Sequence, residues 1–227
     1  MWMMPFWFGP SFLILLPALL LAIYAQWKVR STYGRYARVS TSARITAREA
    51  AERVLSSAAV TGVTIEPASR KGLSDHYDPR SKALRLSDPD STSVAAIGVA
   101  AHEAGHAIQH ARSYKPLSLR TTIVPVANIG SQLALPLFFL GLFTSFEPLM
   151  TAGIVAFSAA VLFTLITLPV EFDASRRAIA SLRETAIVNT EELGSVKEVL
   201  FAAALTYVAA AAMAALQLVM LLSARRR

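Results

Sequence analysis

The 227-residue sequence contains no cysteine, so neither a disulfide framework nor a cysteine-ligated zinc site is possible. Charged side chains are also scarce, at 16% of the chain against about 25% in an average soluble domain. Hydrophobic residues make up 54%. This balance argues against a purely soluble protein and indicates membrane-spanning segments. Any bound zinc must be held by histidine and carboxylate side chains.

No lysine or arginine precedes the first apolar run, residues 5–27, whereas Lys28, Arg30, Arg35 and Arg38 follow it. Signal peptides carry their positive charge before the apolar run, so this pattern favours a retained transmembrane helix over a cleaved signal. The run is about 20 residues long, which is enough to cross a hydrocarbon core. We therefore expect its N-terminus to lie outside the cytoplasm.

Three further apolar runs follow, at residues 122–146, 149–170 and 199–222. The first is interrupted by Pro125 and Pro136, and Phe146-Glu147-Pro148 is typical of a tight turn before the second. Because lipid-exposed backbone must satisfy its own hydrogen bonds, the runs predict helices, with a membrane hairpin over residues 122–170. The sequence thus predicts about four transmembrane helices.

The positive charges predict the orientation. Residues 28–120 carry 15 of the 22 lysines and arginines, residues 171–198 carry 4, and the last three residues carry the other 3. With four crossings, residues 28–120 and 171–198 lie on the same side of the membrane, and the positive-inside rule makes that side cytoplasmic. The terminal arginine triplet then falls outside, against the rule. The net charge of +7 flanks apolar runs, so we expect an anionic lipid surface as a partner and no nucleic acid.

The cytoplasmic region over residues 28–120 has local signals of its own. Thr46 and Glu49 form a capping box, so a helix should begin near Ala47 and end by Gly62. Residues 63–66 predict a strand, residues 73–77 and 82–86 a hairpin, and residues 91–112 a long helix. The expected fold is mainly α: one multi-pass membrane domain over residues 1–227, with a small α+β cytoplasmic part.

The last of these helices contains His102-Glu103-Ala104-Gly105-His106, an H-E-x-x-H sequence. Residues four apart lie on one helical face, so both imidazoles can reach one ion. Glu103 is placed to act as general base on a metal-activated water. The alternative is an amphipathic helix with surface histidines, but the preceding residues 94–101 are almost wholly apolar.

A catalytic zinc ion needs a third protein ligand. His110 continues the spacing, but it lies about 12 Å along the helix from His102, too far to share one ion. Glu171 is the better candidate, because the membrane hairpin returns the chain to the side of the histidine helix. An ionisable group at a membrane boundary needs a partner, which a metal would supply. An ion pair with Arg176 or Arg177 is the alternative.

Supporting positions around the ion are harder to assign. Metal-bound histidine commonly donates its second N–H to a carboxylate, which Asp173 could provide. Residues two apart on a helix point to opposite sides, however, so Asp173 and Glu171 would face apart. Ser175 or Arg176 could then lie closer to the site. His110 fits a helix-surface or supporting position.

Together these segments resemble the YugP-like family of neutral zinc membrane metallopeptidases. The resemblance rests on the N-terminal membrane helix and on residues 74–87, 99–109 and 169–177. It implies a peptidase with one zinc ion on His102, His106 and Glu171, and Glu103 as general base. The order of metal helix, hairpin and glutamate is also similar to HtpX-type and prenyl-protein peptidases. Those carry an acidic residue where this chain has Ser175, although the following Arg176 matches.

The resemblance also gives the hairpin a role. In zinc peptidases of this kind an edge strand commonly holds the substrate as an added strand. His76 or Tyr77 could then stabilise the oxyanion. A purely structural hairpin is the alternative.

The sequence therefore predicts a zinc-dependent endopeptidase that cleaves membrane or membrane-proximal proteins at the cytoplasmic face of the cell membrane. Its expected partners are a protein or peptide substrate and the lipid bilayer, while the sequence leaves open any homo-oligomer or membrane partner protein. An intramembrane site-2-type protease is one alternative, disfavoured because the chain lacks Leu-Asp-Gly. A non-catalytic scaffold with a four-ligand metal site is another. The His₂-carboxylate set also suits other divalent ions.

Overall fold

The computed structural model describes residues 13–69 and 74–225. It is mainly helical with one small sheet, as the sequence predicted. The helices are α1 (Leu16–Tyr36), α2 (Ala47–Ser57), α3 (Val94–Ala111), α4 (Lys115–Phe143), α5 (Glu147–Glu184) and α6 (Thr190–Arg225). The strands are β1 (Thr64–Pro67), β2 (His76–Asp78) and β3 (Ala83–Leu86).

Helices α4, α5 and α6 are long and apolar enough to cross a membrane. The predicted runs at 122–146, 149–170 and 199–222 overlap these three helices. The predicted first span, residues 5–27, lies partly outside the described residues, and its later residues belong to α1. Within the described ranges three candidate spans are found, so the fourth crossing stays a prediction.

The observed helices differ from the predicted ones mainly at their ends, and the prolines of the second apolar run do not interrupt α4. Helix α4 runs through Pro125 and Pro136 without ending, because apolar surroundings offer its backbone no better hydrogen-bonding partner than the helix itself. Helix α2 ends at Ser57 with Ala58 as its cap, well before Gly62, which instead takes a positive φ in the turn before β1. The turn predicted at Phe146-Glu147-Pro148 falls slightly earlier, since α5 already begins at Glu147.

The described chain forms two compact units. The first contains the described part of Met1–Gln26 with Leu119–Leu168 and Leu205–Arg227. Its core centres on the fully buried Phe138. Many large apolar side chains remain exposed on this unit, among them Phe143 and Val155. Because soluble proteins rarely expose so much contiguous apolar surface, this pattern fits contact with lipid.

The second unit contains Trp27–Ser118 and Pro169–Ala204. Its core joins α2, α3 and the sheet to the parts of α5 and α6 in this unit. Helix α2 begins at the predicted capping box, in which Thr46 and Glu49 exchange both bonds, and Ser93 caps α3. Both caps satisfy amide groups that a helix start leaves unpaired.

The sheet has the order β1-β3-β2, with β1 parallel and β2 antiparallel to β3. The predicted strand and hairpin are therefore present, although Leu73, the predicted first hairpin residue, lies outside the described residues. Leu84 and Leu86 bury one side of β3 in the core. Strand β2 contacts α3 and, among the described residues, has a neighbouring strand on one side only, which places a sheet edge beside the H-E-x-x-H helix.

Candidate metal centre

Three buried or partly buried side chains meet between α3 and α5. His102 and His106 lie one turn apart on α3, and Glu171 faces them from α5. Glu171 Oε2 is 3.3 Å from His102 Nε2 and 3.6 Å from His106 Nε2. One possible ligand atom from each residue lies within 4.8 Å of the others, so the cluster could hold a metal ion.

The spacing of these atoms fits zinc. Donor atoms about 2.0–2.1 Å from a tetrahedral zinc ion are about 3.3 Å from one another. The observed 3.3 and 3.6 Å separations are close to that value. Two imidazole nitrogens and one carboxylate oxygen are also ligands that zinc accepts in catalytic sites. The donor set and these two separations therefore fit a zinc ion.

Gly105 allows the two helices to come this close. It lies between Glu103 and His106, where a Cβ atom would stand 2.5 Å from the backbone oxygen of Ala174 on α5. No side chain fits at that distance without moving one of the helices. The glycine therefore allows α5 to bring Glu171 within reach of the histidines.

The Nδ1 atom of each imidazole has a polar neighbour. His102 Nδ1 lies 3.0 Å from Ser175 Oγ, and His106 Nδ1 lies 3.0 Å from Gln109 Oε1. In each ring the Nε2 atom is the one that faces Glu171. Hydrogen bonds of this kind fix the orientation of metal-binding histidines and raise their basicity.

Asp173 does not contact either imidazole through a described hydrogen bond. Its carboxylate accepts a 2.9 Å bond from Gln109 Nε2 and pairs with Arg176 and Arg177. Asp173 thus reaches the site through Gln109, a link that the sequence did not predict. The two arginines, considered as partners for Glu171, pair instead with Asp173. Arg177 also lies over the ring of Tyr114.

Glu103 and the sheet edge are joined by Tyr77. The backbone N–H of Tyr77 donates a 2.9 Å bond to Glu103 Oε2. The Tyr77 hydroxyl lies 2.8 Å from His110 Nδ1, further along the same helix. One residue of β2 therefore contacts α3 at two places, and His110 serves this contact rather than joining the cluster. Burial and the nearby charge of Asp78 raise the pKa of Tyr77, so the hydroxyl keeps its proton at neutral pH.

His76 is placed differently. Successive strand residues point to opposite faces, and the exposed His76 ring lies 2.9 Å from the Ser74 carbonyl oxygen and near Arg85. The described hydrogen bonds of His76 and Tyr77 do not link either side chain to the trio. Their predicted part in stabilising an oxyanion stays a prediction.

The electrostatics of the cluster favour cation binding. Burial lowers the pKa of His106, but its hydrogen bond to Glu171 and the charges of Glu103 and Glu171 outweigh burial, and the pKa is raised. The same negative groups would attract a metal cation. Because a metal binds neutral imidazole, its binding competes with this proton.

Gln109 and Gly105 were not assigned a role from the sequence. Gln109 lies three residues after His106 and so shares its helical face, which is the signal that could have identified it. Nothing in the sequence specifies which residues of α5 approach Gly105. The close contact with Ala174 depends on how the two helices pack.

Comparison with known proteins gives two matches. Residues 11–226 match the family described as "Putative neutral zinc metallopeptidase". The chain is 46% identical over 196 residues to the "Putative membrane protease YugP" of Bacillus subtilis (strain 168), covering 86% of this chain and 87% of that protein. No solved structure matches the chain.

Proposed function

The chain belongs to the neutral zinc metallopeptidase family, and from this premise we propose that it is a zinc-dependent membrane endopeptidase. The observation that carries the proposal is the cluster itself: the H-E-x-x-H helix and Glu171 bring three zinc-type ligand atoms within 4.8 Å of one another. The proposed substrates are membrane or membrane-proximal proteins, and the reaction is hydrolysis of a peptide bond.

His102, His106 and Glu171 would hold one zinc ion. Zinc there would supply Lewis-acid chemistry, polarising a carbonyl oxygen and lowering the pKa of water towards about 7. Among the described residues the metal-capable cluster has three members. A structural zinc site usually has four protein ligands, whereas a catalytic one keeps a position open, so three ligands support catalysis over a scaffold role.

Glu103 is the proposed general base. Its Oε2 is fixed by the backbone N–H of Tyr77, which orients the carboxylate next to the two histidines that flank it on α3. The other oxygen of the Glu103 carboxylate, Oε1, can then take the proton of the attacking water and pass it to the leaving amine. Nearby, the side of β2 that has no neighbouring strand among the described residues could hold the peptide as an added strand, with Tyr77 or His76 close to the reacting carbonyl.

The membrane setting is supported by the three long apolar helices and by the name of the Bacillus relative. Placement of the site at the cytoplasmic face of the cell membrane rests on the charge distribution, because residues 28–120 and 171–198 carry 19 of the 22 basic residues. Both ligand-bearing segments, around residues 102 and 171, belong to those two stretches.

Substitution of Glu103 by Gln tests the proposal. The amide oxygen of the new side chain can still accept the Tyr77 N–H bond, so we expect the fold and zinc content to be kept. Without the base, cleavage of an unfolded protein substrate by the detergent-solubilised chain should fall by about 10²–10⁴-fold. Glu184→Gln, at an exposed position near the end of α5, is the matched control and should cleave normally. Wild-type cleavage by zinc-loaded Glu103→Gln would refute the mechanism.

A further inference from the structure

Gln109 is completely buried beside the metal centre, where none of the assigned catalytic roles uses it. We propose that Gln109 is a positioning residue that holds His106 in the tautomer protonated at Nδ1, which leaves the Nε2 lone pair free for the metal. The inference rests on the proposed function only in taking His106 to be a metal ligand.

The orientation of the Gln109 amide is determined by its surroundings. Its Nε2 lies 2.8 Å from the Val170 carbonyl oxygen and 2.9 Å from Asp173 Oδ2. Both of these atoms can only accept, because one is a peptide oxygen and the other a carboxylate paired with two arginines. A flipped amide would place its oxygen against two acceptors in a site without solvent exposure, so the flip is excluded.

The tautomer of His106 follows from this orientation. With both amide protons used, the atom of Gln109 that faces His106 Nδ1 at 3.0 Å is the acceptor Oε1. His106 Nδ1 must then donate and carry the proton. In a neutral imidazole the other nitrogen has the lone pair, and that nitrogen, Nε2, is the one directed at Glu171. Gln109 thus selects the metal-binding form before any metal arrives.

His102 lacks an equivalent constraint. Its Nδ1 faces Ser175 Oγ at 3.0 Å, and a hydroxyl can either donate or accept. Ser175 therefore accommodates both tautomers, whereas Gln109 permits one. The fixed imidazole is His106, and of the two histidines it is the more deeply buried.

Gln109 also separates His106 from a charge. A carboxylate bonded directly to a metal-binding histidine makes the ring more basic. Here the carboxylate is Asp173, one amide further away and neutralised by Arg176 and Arg177. The amide fixes the ring without adding a negative charge at its Nδ1.

Zinc affinity and tautomer can be measured separately on the full chain in detergent. Competition with a chromophoric chelator should show that Gln109→Leu binds zinc about 10–100-fold more weakly than wild type. Asp173→Asn is the comparison variant. Its amide oxygen, in the place of Asp173 Oδ2, can still accept from Gln109 Nε2 and Arg177, and only the bond to the exposed Arg176 is lost. Its zinc affinity should stay within about threefold of wild type.

Nitrogen NMR of zinc-free wild type, at a pH where the imidazole is neutral, should place the His106 proton on Nδ1. Protonation at Nε2, or equal loss of affinity in Gln109→Leu and Asp173→Asn, would overturn the inference. Unchanged affinity in folded Gln109→Leu would overturn it as well. If instead wild type binds no zinc, the proposed function fails, while the NMR result still decides the tautomer.

Discussion

At the scale of single residues, Gly105 is tightly constrained. A Cβ there would meet the carbonyl oxygen of Ala174 at 2.5 Å, and backbone cannot turn aside as a flexible side chain can. Ala174 lies one turn after Glu171 on α5. Any separation of α3 from α5 at this point would therefore move the third ligand away from both histidines.

We expect Gly105→Ala to lower the free energy of unfolding by about 1–3 kcal/mol, the usual cost of overpacking, and to weaken zinc binding. Gly98→Ala is the matched control on the same helix, where the Cβ would meet a Val196 methyl group at 3.2 Å. Overpacking there should be offset by the helix propensity gained, about 0.8–1.0 kcal/mol. Denaturant unfolding and chelator competition measure both effects. Equal zinc affinity in the two variants would contradict this interpretation of Gly105.

The three candidate metal ligands, His102, His106 and Glu171, could be predicted from the sequence because local patterns identify them. Helical spacing places His102 and His106 on one face, and the same spacing excludes His110. Glu171 follows an apolar run that must end at a membrane boundary. Ser175 was considered for a position near the site and lies 3.0 Å from His102 Nδ1. Gln109 was missed, because its contacts depend on the rotation of α5 against α3. Packing sets that rotation, and no short pattern encodes it.

At the scale of elements, the first residue of a helix was easier to predict than its last. The capping box at Thr46 places specific donors and acceptors, and the helix begins where predicted. Hairpin register follows from turn residues and alternation, and β2 pairs with β3 accordingly. Helix ends were less certain, since a glycine can end a helix but does not have to. Helix α2 ends at Ser57, five residues before Gly62.

The prolines within the apolar runs do not end the predicted helices. Pro125 and Pro136 lie inside α4, and Pro169 lies inside α5. Each proline lacks the N–H that would donate a helical hydrogen bond. In water the helix can end at such a residue, because solvent satisfies the backbone groups that are freed. In apolar surroundings the remaining helical bonds are the best available, so the helix continues. As a result α5 runs unbroken from the apolar stretch through Glu171 to Glu184, and the ligand is carried on a continuous helix.

At the scale of the whole molecule, the positions of the apolar runs predicted which segments are apolar and which carry the chemistry. The apolar runs fall in the unit whose surface is rich in exposed Leu, Ile, Val and Phe, and the chemistry-bearing residues fall in the other. The ligands come from segments separated in the sequence by the long apolar stretches of α4 and α5, and the second unit unites them. The number of crossings and the orientation depend on a bilayer, so charge remains their main physical predictor.

The absence of cysteine makes the orientation testable by single-cysteine labelling. Ser56→Cys, at an exposed position of α2, should react with a membrane-impermeant maleimide only after the cells are permeabilised. Thr144→Cys, exposed between α4 and α5, should react in intact cells. The cysteine-free parent chain is the blank. The reverse pattern would contradict the cytoplasmic placement and favour the orientation preferred by the terminal arginines.

The measurement that bears most directly on the metal centre is zinc content in wild type beside Glu171→Ala. Purified wild type should hold about one zinc ion per chain, as a three-ligand catalytic site does. Glu171→Ala removes one of the three ligand atoms that lie within 4.8 Å of one another, and should lose most of its zinc at limiting free metal. Glu184→Ala, at an exposed position on the same helix, should keep it. Zinc occupancy in Glu171→Ala equal to that of wild type and of Glu184→Ala would contradict the proposed site.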